Sequence, residues 1–227
     1  MKTNLVSPFL QAVRFLTVLI LSSAAYADPL DIWATQQLST NRFGLSSIVF
    51  GNGCYVAAGS FSDYGTIVSS EDGYNWTVRA DGYTSIQGAP IWGLKVNFAN
   101  GRFIAISAWG GTVVSTNGTN WTLGSAPLIQ PSFAHLDLYG ATYGGGRFVA
   151  VGQPESGFGS TVSNIVTSAD GVAWTLRRSH PTEARTIVDV AYGAGTYAAI
   201  GPNDGFTYTS PTATTWTRRS ILGGQFD

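Results

Sequence analysis

Apolar and polar positions in this chain come in short alternating runs set between turn residues. The clearest are IVFGNGCYVAAG (48–59), VNFANGRFIAIS (96–107), ATYGGGRFVAVG (141–152) and VAYGAGTYAAIG (190–201). Each reads as a short strand ending in an aromatic (Phe50, Phe98, Tyr143, Tyr192) and a Gly-rich turn. A second strand follows, starting with another aromatic (Tyr55, Phe103, Phe148, Tyr197) and alternating small and β-branched residues. Asn or Gly in the turn tolerates the positive φ that a tight hairpin needs. A third strand comes next: GTIVSS (65–70), GTVVS (111–115), NIVTS (164–168) and FTYTS (206–210).

A polar turn then leads into a Trp-Thr strand, and this too recurs. The four copies are SSEDGYNWTVR (69–79), STNGTNWTL (115–123), TSADGVAWTLR (167–177) and TSPTATTWTRR (209–219). Their tryptophans, Trp76, Trp121, Trp174 and Trp216, lie 42 to 53 residues apart. A Ser hydroxyl and an Asp carboxylate can accept backbone N–H groups inside such a turn, and Gly allows the tight reversal. The Trp ring then returns onto the sheet. Ser70, Asp72 and Gly73 fill these roles in the first copy, Ser115, Asn117 and Gly118 in the second, and Ser168, Asp170 and Gly171 in the third. The fourth keeps Ser210, but Pro211 and Thr212 replace the Glu-Asp pair. A device repeated in step with the strands is architectural rather than catalytic.

Four short antiparallel strands per unit of about 40–50 residues predict an all-β chain, a β-propeller of four-stranded blades. The blades fall near 45–80, 91–125, 136–178 and 187–220. Each sheet has two apolar faces and needs a neighbour on both sides. Trp33, in DIWATQQ, predicts one extra N-terminal outer strand. The last unit already holds its own Trp216, so that strand is not needed to complete it. Four blades then close alone, pair between chains, or form an open arc of a larger propeller. The open arc is the expectation here, with self-association through its exposed blade edges.

Over residues 45–219 the pattern resembles the Asp-box, or BNR-like, repeats of sialidase-type propellers. The resemblance implies the fold, with the boxes on the outer rim. Sialidase activity would imply an arginine cluster for the substrate carboxylate and a Tyr-Glu pair. No Arg-Ile-Pro segment occurs, and Arg102 and Arg147 follow the Gly turns, on the face opposite the variable loops.

Composition narrows the function classes. Residues 1–27 read as a secretory signal: Lys2 and Arg14, an apolar FLTVLIL core, and Ala25-Tyr26-Ala27 as a cleavage site. Cleavage after Ala27 predicts a secreted or periplasmic protein with no membrane attachment. The remaining chain has ten basic and thirteen acidic residues, and Lys95 is its only lysine. It lacks a basic footprint for nucleic acid and a polybasic membrane patch. Cys54 is the single cysteine, which excludes an intrachain disulfide and a cysteine-cluster metal site. No metal or cofactor is expected.

Candidate chemistry lies in the loops between second and third strands and between units, which differ in every repeat. They offer Phe61, Tyr64, Tyr83, Trp109 and Phe158 as apolar platforms. Aromatic faces beside polar groups suit sugars. Asp63, Glu155 and Asp204 lie in equivalent loops and are the candidate catalytic carboxylates, since glycoside hydrolysis needs two such groups. The leading expectation is a non-enzymatic binding or scaffold module for a glycan or an extracytoplasmic protein. A carbohydrate-active hydrolase is the alternative, and a truncated fragment without independent activity is a third reading.

Overall fold

Sixteen strands and no helix make up the described part of the chain. The computed structural model describes residues 44–61, 64–81, 92–108, 111–125, 136–154, 164–178, 187–201 and 205–220. The chain divides into two units, Met1–Gln36 and Gln37–Asp227, and every described residue belongs to the second. The signal expected over residues 1–27 and the strand expected at Trp33 lie outside the described residues.

Four antiparallel four-stranded sheets follow one another. Blade 1 holds β1 (Gly44–Gly51), β2 (Cys54–Phe61), β3 (Tyr64–Ser70) and β4 (Thr77–Asp81). Blade 2 holds β5 (Trp92–Ala99), β6 (Arg102–Ala108), β7 (Gly111–Ser115) and β8 (Thr122–Ser125). Blade 3 holds β9 (Leu136–Gly144), β10 (Arg147–Pro154), β11 (Asn164–Ser168) and β12 (Thr175–Arg178). Blade 4 holds β13 (Asp189–Gly193), β14 (Thr196–Ile200), β15 (Phe206–Ser210) and β16 (Thr217–Ser220). Each strand pairs with the next in its blade, and a single rung, Tyr64↔Trp92, ties blade 1 to blade 2.

The first hairpin of each blade closes on a two-residue turn with both central residues at positive φ. These are Asn52-Gly53, Asn100-Gly101, Gly145-Gly146 and Ala194-Gly195. That geometry follows the right-handed twist of the flanking strands. Ala194, at φ 49°, is the costly member. Each turn brings two aromatics into register as a cross-strand pair, with ring centroids 4.5 to 4.7 Å apart: Phe50–Tyr55, Phe98–Phe103, Tyr143–Phe148 and Tyr192–Tyr197.

The core sits between blades rather than inside them. Side chains alternate across a strand, so neighbouring residues enter successive cores. In β6, Phe103 and Ala105 join Val56, Ala58 and Ile67 of blade 1, whereas Ile104 and Ile106 join Leu136, Leu138 and Phe148 of blade 3. The third core joins Val149, Val151 and Ile165 of blade 3 to Val190, Tyr197 and Trp216 of blade 4. Each fully buried Val or Ile contributes about 1.5–3 kcal/mol. Asn52 Nδ2 also reaches from blade 1 to the Gly101 and Thr116 carbonyls of blade 2 at 2.9 and 2.8 Å. Among the described residues no strand of blade 4 pairs with a strand of blade 1.

One connection is shorter than the sequence suggests. Phe61 and Tyr64, expected in a loop, have their backbones in strands, because the β2–β3 ladder runs unbroken to the rung Phe61↔Tyr64.

Candidate functional site

The blades present two unlike ends. One carries the Gly turns and the Ser-x-Asp-Gly turns; the other carries the second-to-third-strand loops and the connections between blades.

At the first end the polar groups are consumed locally. In blade 1 the Gly73 N–H donates to Ser70 Oγ at 2.8 Å. Asp72 Oδ1 accepts from the N–H groups of Tyr74 and Asn75 at 2.8 and 2.7 Å, and from the Ser70 hydroxyl at 2.9 Å. Asn75 Nδ2 takes the other carboxylate oxygen at 2.7 Å, and Trp76 Nε1 donates to the Gly73 carbonyl at 3.0 Å. Ser115, Asn117, Gly118 and Trp121 repeat the arrangement, as do Ser168, Asp170, Gly171 and Trp174.

Blade 4 keeps only part of it. Ser210 Oγ accepts from the Thr212 and Ala213 N–H groups, and Thr212 Oγ1 accepts from the Thr214 N–H at 3.4 Å. Trp216 Nε1 is buried without a partner. The Asn75 amide, first among several donors, holds the Asp72 carboxyl well below the usual carboxylate range. The Ala173 and Val172 amides lower Asp170 in the same way. In each of these carboxylates Oδ1 accepts three hydrogen bonds inside the turn, so the side chain has a structural task there.

Two cavities lie at this end. One, of about 240 Å³, is bounded by Glu71, Asp72, Arg79 and Thr119; the other, of about 340 Å³, by Arg147, Ser168 and Arg177. A third, of about 270 Å³, lies between blades 2 and 3 beside Phe98, Tyr143 and Trp174, where Asn97 Nδ2 is buried without a partner.

At the opposite end, β2, β6, β10 and β14 all finish, and β3, β7, β11 and β15 all begin. The connections between them therefore leave from a common end of the blades. Trp109, Tyr83, Phe158, Asp63, Glu155 and Asp204 belong to these loops and connections and lie outside the described residues. The first three inner strands also break register here, with one unpaired residue each: Ser46, Gly93 and Tyr139. A bulge bends its strand and re-aims a side chain. Opposite two of these bulges only glycine fits. A Cβ on Gly59 would stand 2.0 Å from the Gly44 carbonyl oxygen, and one on Gly152 would stand 1.8 Å from that of Asp137.

The third bulge gathers a polar group that the sequence pattern does not reveal. Asp137 lies opposite Gln153 in the ladder, and Tyr139 is the bulged residue between them and the regular strand. Burial raises the Tyr139 phenol, the Asp137 charge adds to that, and a hydrogen bond with Gln153 opposes it. The set stands where the 155–163 loop departs. Gly152, whose side-chain position is closed by the Asp137 backbone, is the one sequence trace of the bulge. Among the described residues no three His, Cys, Asp or Glu side chains are grouped to hold a metal. Cys54 is buried as a free thiol.

No family model and no curated protein sequence matches this chain. Solved structures do. A catalytically inactive virginiamycin B lyase from Staphylococcus aureus with quinupristin aligns at TM-score 0.61 and 12% identity, over 82% of this chain and 58% of its own. A streptogramin B lyase aligns at TM-score 0.59 and 12% identity, over 82% and 57%. YCF48 from Cyanidioschyzon merolae aligns at TM-score 0.53 and 17% identity, over 81% and 58%. The chain thus spans less than three-fifths of each of them. These proteins are β-propellers. At such identities the likeness speaks for architecture alone. Repeated four-stranded blades, cores between them and these likenesses lead to one conclusion: the chain is built as a run of β-propeller blades.

Proposed function

We propose that this chain is an exported binding module of Asp-box type, and that it holds a glycan on the loop-bearing end of its blades. One observation carries the reading. All four second-to-third-strand loops leave the blades at the same end, while at the other end Ser70, Asp72, Ser168 and Asp170 are bonded within their own turns. Varied loops on a fixed scaffold are the common seat of recognition. Trp109, Tyr64, Phe61, Tyr83 and Phe158 supply the platforms for the apolar faces of sugar rings, and Asp137, Tyr139 and Gln153 of blade 3 add hydrogen-bonding groups. The engaged carboxylates Asp72 and Asp170 support a non-catalytic role for the turns. Residues 1–27 serve as the export signal, removed after Ala27, and the protein works outside the cytoplasm.

The test incubates the purified protein with a panel of polysaccharides and measures retained protein and released reducing ends together. Retention without release, lost in Trp109→Ala and weakened in Tyr139→Phe, is the expected result. Release that depends on Asp63, Glu155 or Asp204 would replace this reading with a hydrolase. A folded sample that retains nothing would point to a protein partner. N-terminal sequencing of the exported chain checks for a start at Asp28.

A further inference from the structure

Two internal blade junctions share one device, and the third carries residues at the corresponding positions. An inner-strand aromatic of one blade lies over a small residue that ends the inner strand of the blade before it. A Cβ on Gly51 would stand 2.4 Å from the Phe98 ring, and one on Gly144 would stand 2.1 Å from the Tyr192 ring. Between blades 2 and 3 the pair is Ala99 and Tyr143, both packed against the second core. The key is a ring and the seat is a residue with little or no side chain.

The two end blades carry the unmatched halves of this junction. Phe50 is the key of blade 1, and its ring is 55% exposed; Ile48 beside it is 60% exposed, where its counterparts Val96 and Val190 are 3% and 6%. Gly193 is the seat of blade 4, and a Cβ there would meet nothing within 4 Å. Ile200, on the same open face, is 47% exposed, whereas its counterparts Ala58, Ile106 and Val151 are fully buried. One chain therefore shows a free key at one end and a free seat at the other.

Polar groups at the two ends also match. Arg79 binds the Ser69 hydroxyl and shares a cavity with Thr119, in the turn of the next blade. Arg219 is its counterpart in blade 4, bonded to Thr209 Oγ1 in the same way at 2.9 Å. In the turn of blade 1, Tyr74 occupies the position of Thr119. Its ring is 65% exposed, and the acidic Glu71 lies three residues before it. An arginine therefore stands where an incoming blade 1 would bring an aromatic ring and a carboxylate.

We infer that blade 1 of one chain docks on blade 4 of a second copy, with Phe50 over Gly193 and Arg219 against Tyr74. The contact continues the junction made inside the chain at Gly51–Phe98 and Gly144–Tyr192. It is head to tail, so two copies satisfy both ends at once when the pair closes. It buries apolar sheet faces that a soluble protein rarely leaves open. The inference is independent of the glycan reading, because the docking faces lie between blades and not on their loops.

The experiment is sedimentation of the protein purified from cells expressing the full chain, across concentrations up to about 100 µM. The expected result is a species of twice the single-chain mass. A Cβ at Gly193 meets nothing within 4 Å, so Gly193→Leu fills the seat, should keep the melting behaviour of the parent and should weaken pairing at least tenfold. Phe50→Ala weakens pairing to a similar extent. A single-chain mass at every concentration would overturn the proposal. Pairing that ignores both substitutions would overturn it as well.

Discussion

Trp174 and Trp216 are a matched pair of equivalent residues, 7% and 8% exposed, that differ in one hydrogen bond. Trp174 Nε1 donates to the buried Gly171 carbonyl at 2.8 Å, whereas Trp216 Nε1 is buried with no partner. Replacing either by Phe removes part of a buried ring, a loss of about 1 kcal/mol at ~25 cal/mol per Å². Trp174→Phe also strips the Gly171 carbonyl of its donor, which adds about 1–3 kcal/mol. Trp216→Phe instead deletes an unpaired N–H whose burial already costs about 1–3 kcal/mol, and that gain offsets the smaller ring. Trp174→Phe should therefore destabilise by about 2–4 kcal/mol, while Trp216→Phe should be between neutral and about 2 kcal/mol more stable than the parent. The assay is urea unfolding followed by circular dichroism, with the midpoint read at an unchanged slope. For a chain of this size the difference also appears as a gap of at least about 4 °C in melting temperature. Equal losses at both sites, or a larger loss at Trp216, would refute the reasoning.

Other consequences are as direct. Ser168→Ala leaves the buried Gly171 N–H, now bonded to Ser168 Oγ at 2.8 Å, without an acceptor, and should cost about 1–3 kcal/mol in the same assay. Gly144→Ala drives a methyl into the Tyr192 ring and should cost about 1–3 kcal/mol, even though Ala99 holds the equivalent seat in blade 2. There the neighbouring ring must stand farther off, since no real Cβ tolerates a 2.1 Å approach. The depressed carboxyls of Asp72 and Asp170 stabilise the fold fully above the unfolded carboxylate pKa of about 4, and that stability is lost as pH falls through their folded values. Melting temperature should therefore drop less between about pH 4 and pH 2 in the double variant Asp72→Asn/Asp170→Asn than in the parent. Asn117 already builds the same turn with an amide.

The blade and its turns were legible from the chain because their signals are local. A Gly turn flanked by aromatics, and a Ser-x-Asp-Gly turn before a Trp, use residues a few positions apart. Their recurrence in phase announces a sheet that must stack on its like. The polar set at the loop-bearing end was not legible. Asp137 and Gln153 meet only through the β9–β10 ladder, and Tyr139 is singled out by a bulge that no residue type specifies. The reading of Phe61 and Tyr64 as loop residues failed for a related reason. How far a ladder continues depends on backbone pairing, and these side-chain types suit either state.

The sequence by itself determined the repeat, the four strands of each unit and the aromatic keys, since each rests on contacts close along the chain. Tertiary structure alone decided which neighbouring residues of one strand enter which core, where the inner strands bulge, and that the last seat stays empty. Gly51 and Gly193 occupy the same place in the repeat, yet one lies under a phenylalanine ring and the other faces open space. The difference lies in what the fold brings to each glycine, and a packing partner some 47 residues away along the chain is not written in the glycine itself.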